Sequence, residues 1–271
     1  MRREAWLLAA VAASLMASAC SRLERLSVVR PTAERGKHTQ VAPTYDVSDS
    51  RGSMRGATAA ALVRAAGDRL RRGELAEAER LAKQALQADA RMADAHAVLG
   101  SVAEARSDAS GAGKHYKAAA TLAPQAGIHA NNYGAWLCAN GQASQSLAWF
   151  DRALADASYP TPLAALSNAG SCAWRARQPE RAEASWRTVL AAQPDHPGAL
   201  AGMARIQFER GEYLQARAFA ERWLALAPLD ADGLRLAAEI ERKLGDNAAA
   251  SRYLSRLQGI PSGSTPSPPA R

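Results

Sequence analysis

Between residues 59 and 258 the apolar and polar positions recur with a period of about 34 residues. Copies of the pattern begin near Ala59, Ala93, Gly127, Leu163, Pro197 and Ala231, with Thr161-Pro162 inserted ahead of the fourth. The eighth position of each copy is small: Ala66, Gly100, Gly134, Gly170, Ala204 and Ala238. A large side chain there would push apart two helices that must lie close. The fifteenth position is Gly73, Gly141, Gly211 or Gly245 in four copies, where a chain leaving a helix favours a residue that tolerates positive φ. Ala78, Ala112, Ala182, Ala216 and Ala250 mark the twentieth. Pro124, Pro194 and Pro228 stand at the thirty-second, where proline closes a helix. Each copy therefore predicts two helices, A and B, joined by a tight turn.

One such hairpin cannot bury its own apolar face, so stability has to come from stacking on its neighbours. The period and its marker positions resemble the tetratricopeptide repeat, which implies an all-α, right-handed superhelical solenoid of about six repeats. The repeats are expected near 59–92, 93–126, 127–160, 163–196, 197–230 and 231–258. Their A helices are expected to line a concave groove, the default binding surface. Composition points the same way, because Ala, Leu and Arg, good helix formers, dominate and aromatics make up only 6%.

The N-terminus breaks the pattern. Met1-Arg2-Arg3 precedes an apolar run from Trp6 to Met16, followed by Ala17-Ser18-Ala19-Cys20. Basic, apolar and small residues in that order make a secretory signal too short for a stable spanning helix. Ending on a cysteine, it resembles the lipobox of bacterial lipoproteins, which implies cleavage before Cys20 and lipidation of its thiol; Ala17 stands where the lipobox usually has Leu. The alternative is ordinary cleavage after Ala19, leaving an unmodified thiol. Ser21 follows the cysteine, and lipoprotein sorting implies outer-membrane delivery when that position is not Asp. Residues 1–19 are thus expected to be a signal peptide and 20–56 a lipidated N-terminus with a flexible tether, interrupted by Pro31, Pro43, Gly36, Gly52 and Gly56. The solenoid is expected over 57–258, and the Pro/Ser-rich residues 259–271 are expected to be disordered.

Charge narrows the partners. The formal net charge of +8 arises from 34 basic and 26 acidic residues scattered along helices, without a Lys/Arg block interleaved with aromatics, so nucleic acid is not the expected ligand. Gly111-Ala112-Gly113-Lys114 invites a phosphate-loop reading, but Asp108 occupies the leading glycine position, His115 replaces Ser/Thr, and no strand precedes it. The histidines at 38, 96, 115, 129 and 196 form no His-Glu-x-x-His, and no Cys-x-x-Cys accompanies them. They read as surface or satisfied helix residues. No catalytic residue, metal site, cofactor or small-molecule substrate is expected.

Two cysteines and three asparagines remain. Cys138 and Cys172 fall at nearly the same height on the A helices of the third and fourth repeats, so a disulfide is geometrically reasonable if their Cα atoms approach within about 7 Å. Two free buried thiols and a catalytic pair are the alternatives, though the mid-helix positions do not suit redox chemistry. Asn132 and Asn168 share the sixth repeat position, with Asn131 beside the first. Facing the groove, these amides could hydrogen-bond an extended peptide; equally, they could form a ladder joining adjacent helices. Tyr133 and Trp136 read as packing residues. The Lys/Arg pattern of a carboxylate clamp is not matched.

The run Asn131-Asn132-Tyr133-Gly134, Leu137-Cys138, Gly141, Phe150, Ala153-Leu154, Tyr159-Pro160-Thr161-Pro162, Asn168-Ala169-Gly170 and Cys172 resembles the type IV pilus biogenesis lipoproteins PilF and PilW, the pilotins. With the lipobox and the repeats, the resemblance covers most of the chain. It implies an outer-membrane lipoprotein, periplasm-facing in a Gram-negative cell, that binds the secretin subunit and promotes its localisation and multimerisation. It also implies a Cys138–Cys172 disulfide. Departures are Trp136, where a smaller or Phe-like residue is expected, and Ala90 in place of the first closing proline. The competing expectation is a general envelope adaptor that docks peptidoglycan hydrolases or outer-membrane assembly machinery.

Overall fold

The structure, a computed structural model, describes residues 50–260. Residues 1–49 and 261–271, on which the expected signal peptide, lipidated Cys20, most of the expected tether and most of the expected tail fall, lie outside the described residues. Twelve α-helices follow one another without a strand among the described residues: α1 (Ser50–Arg71), α2 (Leu75–Ala88), α3 (Ala93–Ala105), α4 (Ala109–Leu122), α5 (Gly127–Ala139), α6 (Ala143–Ala155), α7 (Pro162–Arg175), α8 (Pro179–Ala192), α9 (Pro197–Glu209), α10 (Tyr213–Leu226), α11 (Ala231–Leu244) and α12 (Asn247–Gln258). Odd-numbered helices are the A helices and even-numbered ones the B helices.

Every helix packs on the next in sequence. Each A helix also meets the A helix of the following repeat, from α1–α3 through α9–α11, whereas no two B helices meet. Helices that converge on one side and splay on the other produce curvature, and the A helices occupy the inner side. None of the described helices is long and apolar enough to cross a membrane.

The eighth-position rule has a physical partner sixteen residues on. A Cβ on Gly100 would stand 2.7 Å from the Tyr116 ring, one on Gly134 3.1 Å from Phe150, and one on Gly170 2.5 Å from Trp186. In two of the three repeats where helix A has alanine, helix B has alanine too: Ala66 clusters with Ala82, and Ala204 with Ala220, whereas Ala238 has Leu254 sixteen residues on. The A–B spacing is thus held by trading volume across the contact, which is how a close-packed interior tolerates different side chains on one repeat. Trp186 meets a second glycine, since a Cβ on Gly202 of α9 would also lie 2.5 Å from the indole. Its ring is wedged between its own repeat and the next, beside Cys138, Cys172, Val189 and Met203 in the largest buried cluster.

Turn chemistry follows from backbone sterics. Gly73, Gly141, Gly211 and Gly245 have φ between 75° and 86°. The two turns without glycine adopt the same left-handed backbone, at Ser107 (φ 63°) and Arg177 (φ 59°). α4, α8 and α10 stop two residues before Pro124, Pro194 and Pro228. Asp108, Asp230 and Asp246 accept backbone N–H bonds from Gly111, Gly233 and Ala249, capping the helices they precede. After the insertion, Pro162 opens α7, while Tyr159 folds down onto Ala130, Ala153 and Ala165.

Ion pairs repeat with the fold. Glu79–Arg106 and Glu183–Arg210 join the same two repeat positions across successive repeats, and Arg217–Glu241 links the fifth repeat to the sixth. Glu183 is buried, and its hydrogen bond from Arg210 holds its carboxyl below the usual range.

One boundary differs from expectation. α1 begins at Ser50, so residues 50–56, expected as tether, are helical. Docking of Ala59 and Ala66 against α2 and α3 supplies the nucleus, and lengthening an existing helix costs far less than starting one.

Candidate functional site

On the inner face, α1, α3 and α5 enclose a groove of about 600 Å³. Position two of the repeat contributes Asp94 and Ile128, position five Val63 and Ala97, and position six Arg64 and Val98. Ile128 is 47% exposed, one of four large apolar side chains so placed among the described residues, whereas its neighbour His129 is 3% exposed. His129 Nε2 lies 3.1 Å from Asp94 Oδ1, and its Nδ1 is buried without a partner among the described residues. That hydrogen bond holds the Asp94 carboxyl below the ordinary carboxylate range, against the opposing effect of burial. Gly67, Asp68 and Arg71 of α1 complete the wall, and Arg71 pairs with Asp68. The groove offers an apolar strip flanked by charges of both signs, suited to holding a peptide or protein segment.

The expected groove asparagines share repeat positions with this lining but are not part of it, which ends at Ile128 and His129. Asn131 stands at the repeat position of Val63 and Ala97, and Asn132 at that of Arg64 and Val98. The Asn168 Nδ2 donates to Asn131 Oδ1 at 3.1 Å, tying α7 to α5. The amide ladder therefore pairs Asn168 with Asn131, and Asn132 takes no part in that bond. At positions five and six the residues change from Val63, Arg64, Ala97 and Val98 in the first two repeats to two adjacent amides in the third.

Cys138 of α5 and Cys172 of α7 are bonded to each other, with Cα atoms 5.8 Å apart, and both are buried. The buried cluster they belong to is apolar and includes Leu147, Phe150, Ala169, Ala173 and Trp186. Tyr133 stacks on Trp136 and meets Trp149 edge-on at 4.8 Å. Trp136 Nε1 donates to the Ala109 carbonyl at 2.9 Å, and its ring covers Gly113 of the preceding repeat, where any Cβ would collide with it. The large side chain at 136 is accommodated by that glycine, part of the segment that looked like a phosphate loop.

A second cleft, of about 770 Å³, is lined by residues of α8, α9 and α10, among them Met203, Phe219, Arg187, Arg210 and Arg222. Two of these guanidiniums already share Glu183, and Arg222 donates to the Pro194 carbonyl. The inner groove is the better candidate because it combines an exposed aliphatic residue with a buried, incompletely satisfied histidine. Sequence reasoning missed Asp94 and His129; the available signal was an acid and a base at adjacent positions of consecutive repeats. His196 caps α9 by accepting from Ala199 N–H. No group of three or more His, Cys, Asp or Glu is arranged to hold a metal among the described residues.

Residues 173–240 match the tetratricopeptide repeat family. The crystal structure of PilW, described as a widely conserved type IV pilus biogenesis factor, superposes with a TM-score of 0.68 at 30% identity, covering 74% of this chain and 92% of that one. The structure of Pseudomonas aeruginosa PilF gives a TM-score of 0.70 at 23% identity, over 78% of this chain and 95% of that one. In sequence, the type IV pilus assembly protein PilF of Pseudomonas aeruginosa is 24% identical over 195 residues, 72% of this chain and 77% of that protein.

Proposed function

We propose, from the premise that this chain belongs to the tetratricopeptide repeat proteins homologous to PilW and PilF, that it is a pilotin of type IV pilus biogenesis. In this reading it is an outer-membrane lipoprotein, anchored through Cys20, that binds the secretin subunit and promotes its delivery and multimerisation. The observation that carries the proposal is the 30% identity to PilW sustained over 92% of that chain. It is supported by a groove whose chemistry suits holding a segment of a protein.

The mechanism requires no bond to be made or broken by the protein. Each buried methylene of an acyl chain contributes about 0.8 kcal/mol, so several chains on one cysteine hold the protein at the bilayer. Residues 21–49 are the expected link between that anchor and the repeats. The inner groove, with Ile128, Val63 and Val98 as apolar contacts and Arg64 and Asp94 at its edges, holds the secretin subunit. Confinement to one surface raises the subunits' effective concentration, and ring assembly follows from mass action.

Deletion of the gene tests the proposal, with secretin multimers read from unboiled outer-membrane fractions and surface pili counted by microscopy. Loss of both, restored by the wild-type gene, is expected. Normal multimers in the deletion strain would overturn it. Restoration that fails with Cys20→Ser shows that the anchor is needed.

A further inference from the structure

We propose that His96 and His115 form a two-histidine binding site for a divalent transition-metal ion, copper(II) ahead of zinc(II). The proposal is independent of the pilus reading. His96 lies on α3 and His115 on α4, the two helices of the second repeat, and their Nδ1 atoms are 3.1 Å apart. The rings are tilted by 35° with centroids separated by 5.4 Å. In the metal-free pair one Nδ1 carries a hydrogen and the other accepts it, so a single proton sits between the two nitrogens.

Two imidazole nitrogens bound at about 2.0–2.1 Å to one ion stand roughly 2.9 Å apart at a right angle and about 3.4 Å apart at the tetrahedral angle. The observed separation falls between these limits, so the backbones need not move. Rotation of the rings about their side-chain bonds turns the facing lone pairs toward a common point. The proton leaving the donor Nδ1 is replaced by one on that ring's Nε2, which gives the other neutral tautomer and no net change in protonation. Both histidines are only partly buried, which leaves the site open to ions from solvent.

The electrostatic setting is mixed and can be enumerated. Asp108 and Glu79 favour a cation near His115, while the Lys83 ammonium opposes it; Lys83 is itself paired with Glu79 at 2.5 Å. Burial, aided at His96 by the neighbouring ring, keeps both imidazoles in the neutral form that metals require. With two protein ligands the other coordination positions belong to water, and the bound ion is exchangeable. Copper(II) precedes zinc(II) because affinity for nitrogen donors peaks at copper among the first-row divalent ions. Binding would bridge α3 to α4 and stabilise the second repeat by mass action.

Isothermal titration of the detergent-solubilised full chain, purified without a histidine tag and stripped with EDTA, tests the site with copper(II) and zinc(II) salts. One saturable site is expected, tighter for copper. It should be lost in His96→Gln and in His115→Gln, and kept in His38→Gln. Absence of saturable binding, or binding unchanged in both variants, overturns the proposal. Should either variant lose its helical circular dichroism, the copper(II) paramagnetic resonance spectrum of the wild-type chain decides. Coupling to two imidazole nitrogens is expected, and coupling to one or none rejects the site.

Discussion

Ser107 and Arg177 hold left-handed backbone at the two repeat turns that lack glycine. For a residue with a Cβ this conformation costs roughly 1–2 kcal/mol. Glycine removes that strain but returns some chain entropy to the unfolded state, so Ser107→Gly and Arg177→Gly are each expected to stabilise by about 1 kcal/mol, seen as a higher urea midpoint. The histidine pair gives a second expectation. Both imidazoles are held below their ordinary 6.5, mainly by burial, so the unfolded chain binds more protons than the folded one as pH drops. Stability from this source is complete above 6.5 and is lost as pH falls from there through the lower folded values. Thermal midpoints between pH 7 and 5 should therefore fall more steeply for wild type than for His115→Gln, both measured without metal. At this scale the sequence was legible where sterics dictate one residue type, as at Gly73 and Gly245. It was not legible at Asn168, whose bond goes to Asn131 because adjacent residues on a helix point about 100° apart and only three-dimensional register decides which one faces the neighbour. The contacts of His129, His96 and His115 were hidden for the same reason.

At the scale of the helix pair, spacing is a matter of shared volume. Gly170→Ala forces a methyl into the Trp186 indole, and overpacking of that kind costs typically about 1–3 kcal/mol. The loss is expected to be much smaller in a Trp186→Leu background, so a double-mutant cycle by urea unfolding should be strongly non-additive. The small residues at position eight could be read from the sequence, but their reciprocal partners at 82, 116, 150, 186 and 220 emerge only once the helices are paired. Cys138–Cys172 joins two A helices from different pairs, with 34 residues of sequence separation. In the chain-entropy account a loop of that size stabilises by roughly 3–4 kcal/mol. Thiol titration under denaturing, non-reducing conditions should find neither cysteine reactive, and Cys138→Ser/Cys172→Ser should lower stability by about that amount. The start of α1 was illegible because Gly52 and Gly56 look like interruptions, whereas a helix already anchored by Ala59 and Ala66 runs through them.

Across the described molecule, contacts join only neighbouring repeats, so stability is close to a sum over repeats and their junctions. End repeats have one junction each and central repeats two. Amide hydrogen exchange is therefore expected to be fastest in α1 and α12 and slowest in α5 to α8, with the contrast reduced after reduction of the disulfide. An exchange profile flat along the chain would contradict this. Six hairpins in series were legible because the period is enforced at several positions at once. The inner groove was legible as a surface but not in its chemistry, since its walls are assembled from residues some thirty positions apart.

The sulfur bridge sits between the third and fourth of six repeats, near the middle of the row. An array held only by neighbour contacts would bend anywhere along its length. With one rung welded, the row is stiffest at its centre and bends on either side of it: a load taken up by the first three hairpins meets that clamp before it reaches the last three.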